Sequence, residues 1–551
     1  MSRLSSAFSW QFLAWLGIDH FAMNGGTMPL LWSVSLPLFK ELGIDASRQQ
    51  LYTTMMTSPF ALKPFVGAAS DLFPIRGYNK RYLALCSILV GCLGSSAMLA
   101  IYHSGSASIA ISNGPRAVEG LADMIVISFF AMSLEVAILD VLAEGTFSGI
   151  MRRHPESGSS IISYRTAVGC FGAIVTKCYV GPLSDAGNFH AIFWIAFALS
   201  IAPLWPTFSG WLPEKKRSAD EDGMSRICPG VMFHGGLYRK KKMPFIAIAA
   251  SGLAAPIVSA VTTYSDLGVG LICSGFILLA LAVLTYAVFP CSFFRITLGL
   301  MFGTLCQVRT NSALSYFYTA DRDCLPNGPQ FSYTFFITAT GIVGSMMHFC
   351  AVIIYQNFLS SWKFRNSLIF SIIIRSFASV VDLVLVMRWN IMLGVPDKLL
   401  FFMGHATFEN LVIILQSITL SSIYAKIAPP SMETAGFGRL RKISYSAGIG
   451  TFCYIITNVL GSGIIMWSGI TTVGKDCKFD DLPYLIVVYQ ILVPLAVGIP
   501  SALFIPNVLQ SEHLIEWEKE NWYEDESDNG DQTPDSEDET NFDGQVLLRA
   551  N

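Results

Sequence analysis

Stretches of about twenty or more mostly apolar residues recur along this whole sequence, and no other feature narrows the possible folds as far. They lie near 10–39, 50–73, 81–102, 119–144, 160–182, 189–212, 244–264, 267–290, 295–318, 331–357, 366–388, 399–427, 437–468 and 483–507, about fourteen in all. Each is long enough to cross a hydrocarbon layer of roughly 30 Å. Backbone in lipid must satisfy its own hydrogen bonds, so helices are expected and the chain reads as an all-α polytopic membrane protein. Charged residues make up 14% of the 551, against about 25% in an ordinary globular domain. The first run, Trp10 to Phe39, is too long for a cleavable signal and reads as the first membrane helix.

Loop charge sets the expected orientation. With the N-terminus inside, the inner loops hold Arg76, Lys80 and Arg81, then Arg152 and Arg153, the basic stretch from Lys215 to Lys242, Lys363 and Arg365, and Arg439, Arg441 and Lys442. The outer loops hold only scattered cations such as Arg48, Arg322, Lys398, Lys475 and Lys478. That bias predicts both termini in the cytoplasm. The net charge of -3 averages these basic loops with an acidic tail, 511–551, which is poor in aliphatic residues and is expected to be disordered. Of twelve cysteines, only Cys324 and Cys477 fall in loops expected to face the oxidising side, which suggests one bridge between them. No Cys or His spacing suits a metal, no phosphate-binding loop suits ATP-driven pumping, and no catalytic constellation suits a membrane enzyme.

Charges at membrane depth are expensive, so each one here is a candidate for function. Lys63 falls in the middle of the second segment, Glu135 past the middle of the fourth, Arg309 in the ninth and Glu409 in the twelfth. Asp19 and His20 precede an Asn24-Gly25-Gly26 break in the first. Glu119 and Asp123 share one face of the fourth helix, as do Asp140 and Glu144, each pair being four residues apart. Arg165 on the next helix is expected to pair with Asp140 and Glu144, either as a static bridge or as a pair broken and remade during function. Lys63 and Arg309 have no acidic neighbour in their own segments, which favours contact with a substrate. His20, His348 and His405 read as lone core histidines, and most aromatic residues as packing or interface residues. Tyr316, beyond Arg309 with Phe317 and Tyr318, has a ring that could stack on a flat heterocycle.

The stretch from Ser58 to Tyr82, SPFALKPFVGAASDLFPIRGYNKRY, carries a more specific signal. Its Lys63-Pro64, Gly67, Asp71, Arg76-Gly77 and Arg81 resemble the motif of the folate–biopterin transporter family within the major facilitator superfamily. Leu42-Gly43-Ile44, Asp140 with Glu144, and Ser312 to Tyr318 extend the resemblance; Glu433-Thr434-Ala435 departs from a family triplet, and the Cys324 loop is nearest to protozoan members. The resemblance implies a major facilitator fold with twelve core helices in two six-helix halves, 1–212 and 291–510. These would be joined by a basic linker at 213–243 and an inserted helix pair at 244–290, fourteen helices in total. It implies a secondary active transporter in the plasma membrane that moves folate or biopterin-type pteridines by alternating access, with protons as the coupling ion. S-adenosylmethionine is the rival substrate, and a sensor that does not transport is the rival class. Lys63, Asp123, Glu135, Arg309 and Tyr316 would then bind substrate. Asp19, Asp140, Glu144, Arg165 and Glu409 would form charge pairs or carry the proton. Gly67, Asp71, Arg76, Gly77 and Arg81 would build a gate. The expected partners are a small molecule and the lipid bilayer, with no nucleic acid, metal or cofactor.

Overall fold

A computed structural model describes residues 8–510 except 154–157, 215, 217–223, 229, 236–237, 239–241, 290, 427–437 and 475–476. The tail 511–551 and the Glu433-Thr434 site therefore lie outside the described residues. The longer helices, numbered in chain order, are α1 (Trp10–Asp19), α2 (Met28–Glu41), α3 (Ala46–Thr57), α4 (Lys63–Leu72), α5 (Arg81–His103), α6 (Pro115–Arg153), α7 (Gly158–Asp185) and α8 (Phe189–Ile201). After them come α9 (Lys242–Tyr264), α10 (Leu267–Val288), α11 (Cys291–Leu305), α12 (Asn311–Tyr318), α13 (Thr340–Asn357), α14 (Phe364–Val386), α15 (Asn410–Lys426) and α16 (Gly438–Trp467). A last apolar helical run covers Leu482–Phe504.

Among the described residues, eleven helices are long and apolar enough to cross a membrane. Three of the expected spans are instead built from pieces, each for a local reason. In the first, a wide helical turn at His20–Thr27, holding Asn24-Gly25-Gly26, separates α1 from α2. In the second, Pro59 and Pro64 lack the N–H an α-helix needs, and a tight turn at Ser58–Leu62 joins α3 to α4. In the ninth, the chain leaves the helix at Cys306 and resumes it at Asn311, so Arg309 sits in a break between α11 and α12.

Packing brings early and late helices together. Helix α3 lies against α16, and α7 against the Thr334–Ala339 turn and α13. Helix α9 packs on α16 and α10 and also touches α3 and α4. One apolar core gathers Leu30, Phe39, Tyr52, Phe129 and Phe193; another gathers Tyr316, Phe317, Tyr318, Phe401 and Leu482. Many lipid-type side chains of α10, such as Ile272, Phe276 and Leu279, point outward, as expected of a helix facing hydrocarbon.

The basic stretch at 213–243 contains more structure than a plain loop. Strands β1 (Met224–Cys228) and β2 (Val231–His234) form an antiparallel hairpin that docks on the turn between α4 and α5. Met232 N–H donates to the Pro74 carbonyl at 3.0 Å, Arg76 N–H donates to that of Gly230 at 2.6 Å, and Phe73 stacks on Phe233. The Glu214 carboxylate accepts from the N–H groups of Asn79, Lys80 and Arg81 at the start of α5, a helix end that offers unpaired donors. Hydropathy reads such a segment as polar linker because backbone pairing and a single capping carboxylate leave no periodic mark.

At the opposite end of the bundle, Cys324 and Cys477 form a disulfide, with Cα atoms 4.9 Å apart and a Cys477 N–H to Cys324 carbonyl bond beside it. Non-reducing mass spectrometry of protein from the cell surface is expected to yield the linked peptide pair. Alkylation of both thiols without prior reduction would contradict it.

Candidate functional site

Most of the charges expected at membrane depth gather in two clusters, and a seam of hydrogen bonds ties early helices to late ones at the disulfide end. The first cluster centres on Asp140 of α6. Lys63 Nζ pairs with Asp140 Oδ2, while Arg165 Nη2 and Asn24 Nδ2 reach Oδ1, the latter at 3.3 Å. Arg165 Nη1 also holds Glu144 Oε1 at 3.0 Å, and its Nε donates to His20 Nε2. His20 Nδ1 lies 3.2 Å from Asp19 Oδ2, and both residues are buried. The wide turn after Asp19 brings this pair under Arg165, so a position that read as a lone histidine is a link in a chain of charges. Lys63 also differs from its reading as a free cation, because its acid comes from a helix some eighty positions away. All these residues belong to helices before residue 213.

The seam lies at the disulfide end, between early and late helices. Gln50 on α3 donates its amide N–H groups to the carbonyls of Arg309 (2.8 Å) and Asn458 (2.7 Å). Ser462 Oγ donates to the Ser47 carbonyl at 2.8 Å, and Asp45 accepts from Thr472 Oγ1 at 2.6 Å. Tyr316, expected to stack on substrate, is 1% exposed and donates its hydroxyl to the Ile44 carbonyl at 2.7 Å. Its ring is core and its hydroxyl a tie across the seam, because α12 packs directly against the start of α3. The Arg309 guanidinium lies 4.4 Å over the Tyr454 ring. Asp123, near the same end, accepts from the Tyr52 hydroxyl at 3.3 Å.

The second cluster borders a small, partly open pocket among the late helices. Gln307, Asn311, Arg375, Asp382, Glu409 and Gln490 are among its lining residues. Arg375 and Asp382 are seven residues apart on α14, hence on one face. His405 Nδ1 lies 2.6 Å from Glu409 Oε2 and 3.3 Å from Asp382 Oδ1, and the Tyr318 hydroxyl donates to Asp382 at 2.8 Å. These ligand-type atoms lie within 4.8 Å of one another, a spacing that a cation could use, but Tyr318 and His405 already engage both carboxylates. Glu409 alone in this group carries a functional role in the sequence reading, where His405 passes for a core residue. Arg375 and Asp382 carry the same signal, charge inside an apolar run, and the rule applied to Lys63 finds them too.

Glu135 joins neither cluster. It is fully buried, neither of its oxygens has a hydrogen-bond partner among the described residues, and it packs so closely on Gly91 of α5 that a Cβ there would sit 1.7 Å from its carboxylate. It faces a neighbouring helix rather than the cavity, which departs from its expected contact with substrate.

The residues expected to form a gate lie at the end where the hairpin docks. Arg76 (φ 51°) and Gly77 (φ 85°) make a left-handed turn, a shape glycine adopts without strain. Arg76 lies over Tyr82, while Arg81 lies over Tyr78 and donates to the Phe208 carbonyl. Gly67 packs near Val141 of α6, and Asp71 ends α4.

Comparison with known proteins adds two findings. Residues 26–521 match the BT1 family. Similar curated proteins include the folate-biopterin transporter of Synechocystis sp., 23% identical over 89% of this chain and 82% of the relative. Another is the probable folate-biopterin transporter 6 of Arabidopsis thaliana, 22% identical over 72% of this chain; the match spans 65% of that relative's length. Among solved structures, a POT peptide transporter in complex with sulfate superposes with a TM-score of 0.57 at 12% identity, covering 90% of this chain and 93% of the other. The nucleoside transporter NupG (D323A mutant) does so at 0.54 and 13%, covering 90% of this chain and 100% of the other. The fold is therefore of the major facilitator type.

Proposed function

The chain belongs to the BT1 family, and from that premise we propose that it carries folate or a related pteridine across the plasma membrane by alternating access, coupled to protons. The family match over 26–521 carries this reading, since the curated relatives it groups with are described as folate-biopterin transporters. The cavity supports it. A polar, charge-lined space inside an apolar bundle is where a transporter of this fold would hold its substrate. The seam from Gln50 to Arg309 and from Tyr316 to Ile44 serves in this reading as the closed outer gate. Both termini lie in the cytoplasm, which puts the disulfide outside and the Arg76 turn inside. His405, held between Asp382 and Glu409 at the cavity's edge, is the group best suited to take up and release the coupling proton.

Uptake of labelled folate by cells expressing the full chain tests the proposal. Saturable uptake, competed by unlabelled folate and biopterin and lowered by a protonophore, is expected. Competition by S-adenosylmethionine alone would move the substrate to the rival compound. Absence of uptake with protein present at the surface would overturn transport of pteridines.

A further inference from the structure

We propose that Arg375 seats a carboxylate of the substrate, and so sets the preference for acidic pteridines over neutral ones; this rests on the pteridine reading above. The other cations at membrane depth are held elsewhere, Lys177 among them by the Gly341 carbonyl and the Ser345 hydroxyl. Lys63 and Arg165 are engaged by Asp140 and Glu144. His405 is paired with Glu409. Arg309 lies over Tyr454 and is not among the residues lining the cavity. Arg375 does line it, and among the described residues no carboxylate forms an ion pair with it.

Its hydrogen bonds point the same way. Nη1 donates to two neutral amide oxygens, Gln307 Oε1 at 3.1 Å and Gln416 Oε1 at 3.4 Å. These amides fix the plane of the guanidinium without cancelling its charge. The other edge of the fork, Nε and Nη2, finds no acceptor among the described residues, and neither atom is both buried and unpartnered. That edge is the one that binds a carboxylate through two parallel hydrogen bonds. A cation at membrane depth that shares a pocket with Asp382 and Glu409, yet forms an ion pair with neither among the described residues, is by default a candidate for contact with a ligand. The two carboxylates of folate fit such a seat, and biopterin, which has none, does not need it.

The test compares uptake of folate and biopterin, with surface protein quantified, in wild type, Arg375→Gln, Arg375→Lys and Gln307→Glu. Binding of p-aminobenzoylglutamate, the carboxylate-bearing end of folate, to purified full-length protein is measured alongside. Gln307→Glu places a carboxylate beside Nη1, so the guanidinium stays paired and the protein folds even where Arg375→Gln does not. Arg375→Gln and Gln307→Glu are each expected to raise the folate KM by roughly 10- to 100-fold, the loss of one charge-assisted pair. Biopterin uptake should fall far less than folate uptake, and Arg375→Lys should recover part of the folate loss as a point charge without the fork. Equal loss of both substrates in Gln307→Glu at normal surface amounts, or an unchanged folate KM, would overturn the seat. No binding of p-aminobenzoylglutamate by wild type would also overturn it. Binding that Gln307→Glu abolishes, in a protein that transports neither pteridine, would keep the seat and overturn the functional reading instead.

Discussion

Asp140→Ala is expected to leave little folded protein in the membrane. The carboxylate is the common acceptor of Lys63, Arg165 and Asn24, and His20 Nε2 stands 3.6 Å away. Alanine would leave two cations facing each other, with Glu144 paired to Arg165 but no carboxylate on Lys63 in place of Asp140. Removing one partner of a buried pair costs about 3–5 kcal/mol, a large share of a total stability of about 5–15 kcal/mol. Lys63→Met added to Asp140→Ala should recover part of the loss, because it takes away an orphaned ammonium. The exchange Asp140→Arg with Arg165→Asp should recover neither folding nor transport, because the new guanidinium would meet Lys63. Surface amount and detergent melting temperature report the outcome. Wild-type values for Asp140→Ala would show that water or a neighbouring acid replaces the carboxylate at little cost.

Gly461→Ala is expected to open the seam without unfolding the chain. A Cβ at 461 would lie 1.6 Å from the Arg309 carbonyl oxygen and 2.7 Å from Gln50 Nε2, both across the contact between α16 and its neighbours. Neither can give way in place: the first is backbone, and the second is held by two carbonyls. Overpacking of this kind costs about 1–3 kcal/mol, and about 1.4 kcal/mol is a factor of ten in an equilibrium. The closed arrangement should therefore lose roughly tenfold or more in population relative to an open one. A cysteine at Ser312, which is 9% exposed and bonded to Gln50 in the closed seam, reads this directly. A membrane-impermeant maleimide should label Ser312→Cys slowly alone and much faster with Gly461→Ala. Equal labelling rates would mean that the seam yields without opening.

How much of this was legible in the sequence depended on the kind of signal each residue leaves. Apolar length revealed most spans, because crossing lipid leaves little freedom in composition. Asp140, Glu144 and Arg165 stood out because charge in an apolar run is rare. Lys63 could be found by the same rule, but not paired, because its acid lies on α6 and sequence spacing says nothing of helix adjacency. Gln50 was invisible: an uncharged amide leaves no mark in hydropathy, yet it spans the seam. The wide helical turns at His20–Thr27, Thr334–Ala339, Phe402–Glu409, Ile486–Leu492 and Pro494–Gly498 added a further difficulty. Each pairs residues five apart instead of four, so faces counted at an α-helical period drift after every one. His20, His405 and Glu409 all lie within such turns, yet Asp19 with His20 and His405 with Glu409 are one and four positions apart, so both ion pairs were open to a reading of spacing.

The docked hairpin bears on how far movement can travel along the chain. A free linker of thirty residues would let the helices on either side of it shift almost independently. Here Glu214 grips the first turn of α5, and Gly230 and Met232 stitch the hairpin to Arg76 and Pro74, so both are anchored to that turn. Tyr238 packs its ring against Phe233 of β2 and Phe245 of α9, which carries the contact on to that helix. Helix α9 in turn lies against α3, α4 and α16. A displacement of α16 relative to the Arg76 turn therefore works against α9, the Tyr238 contacts and the docked hairpin. A segment that passes for a spacer by composition is, mechanically, a coupling rod.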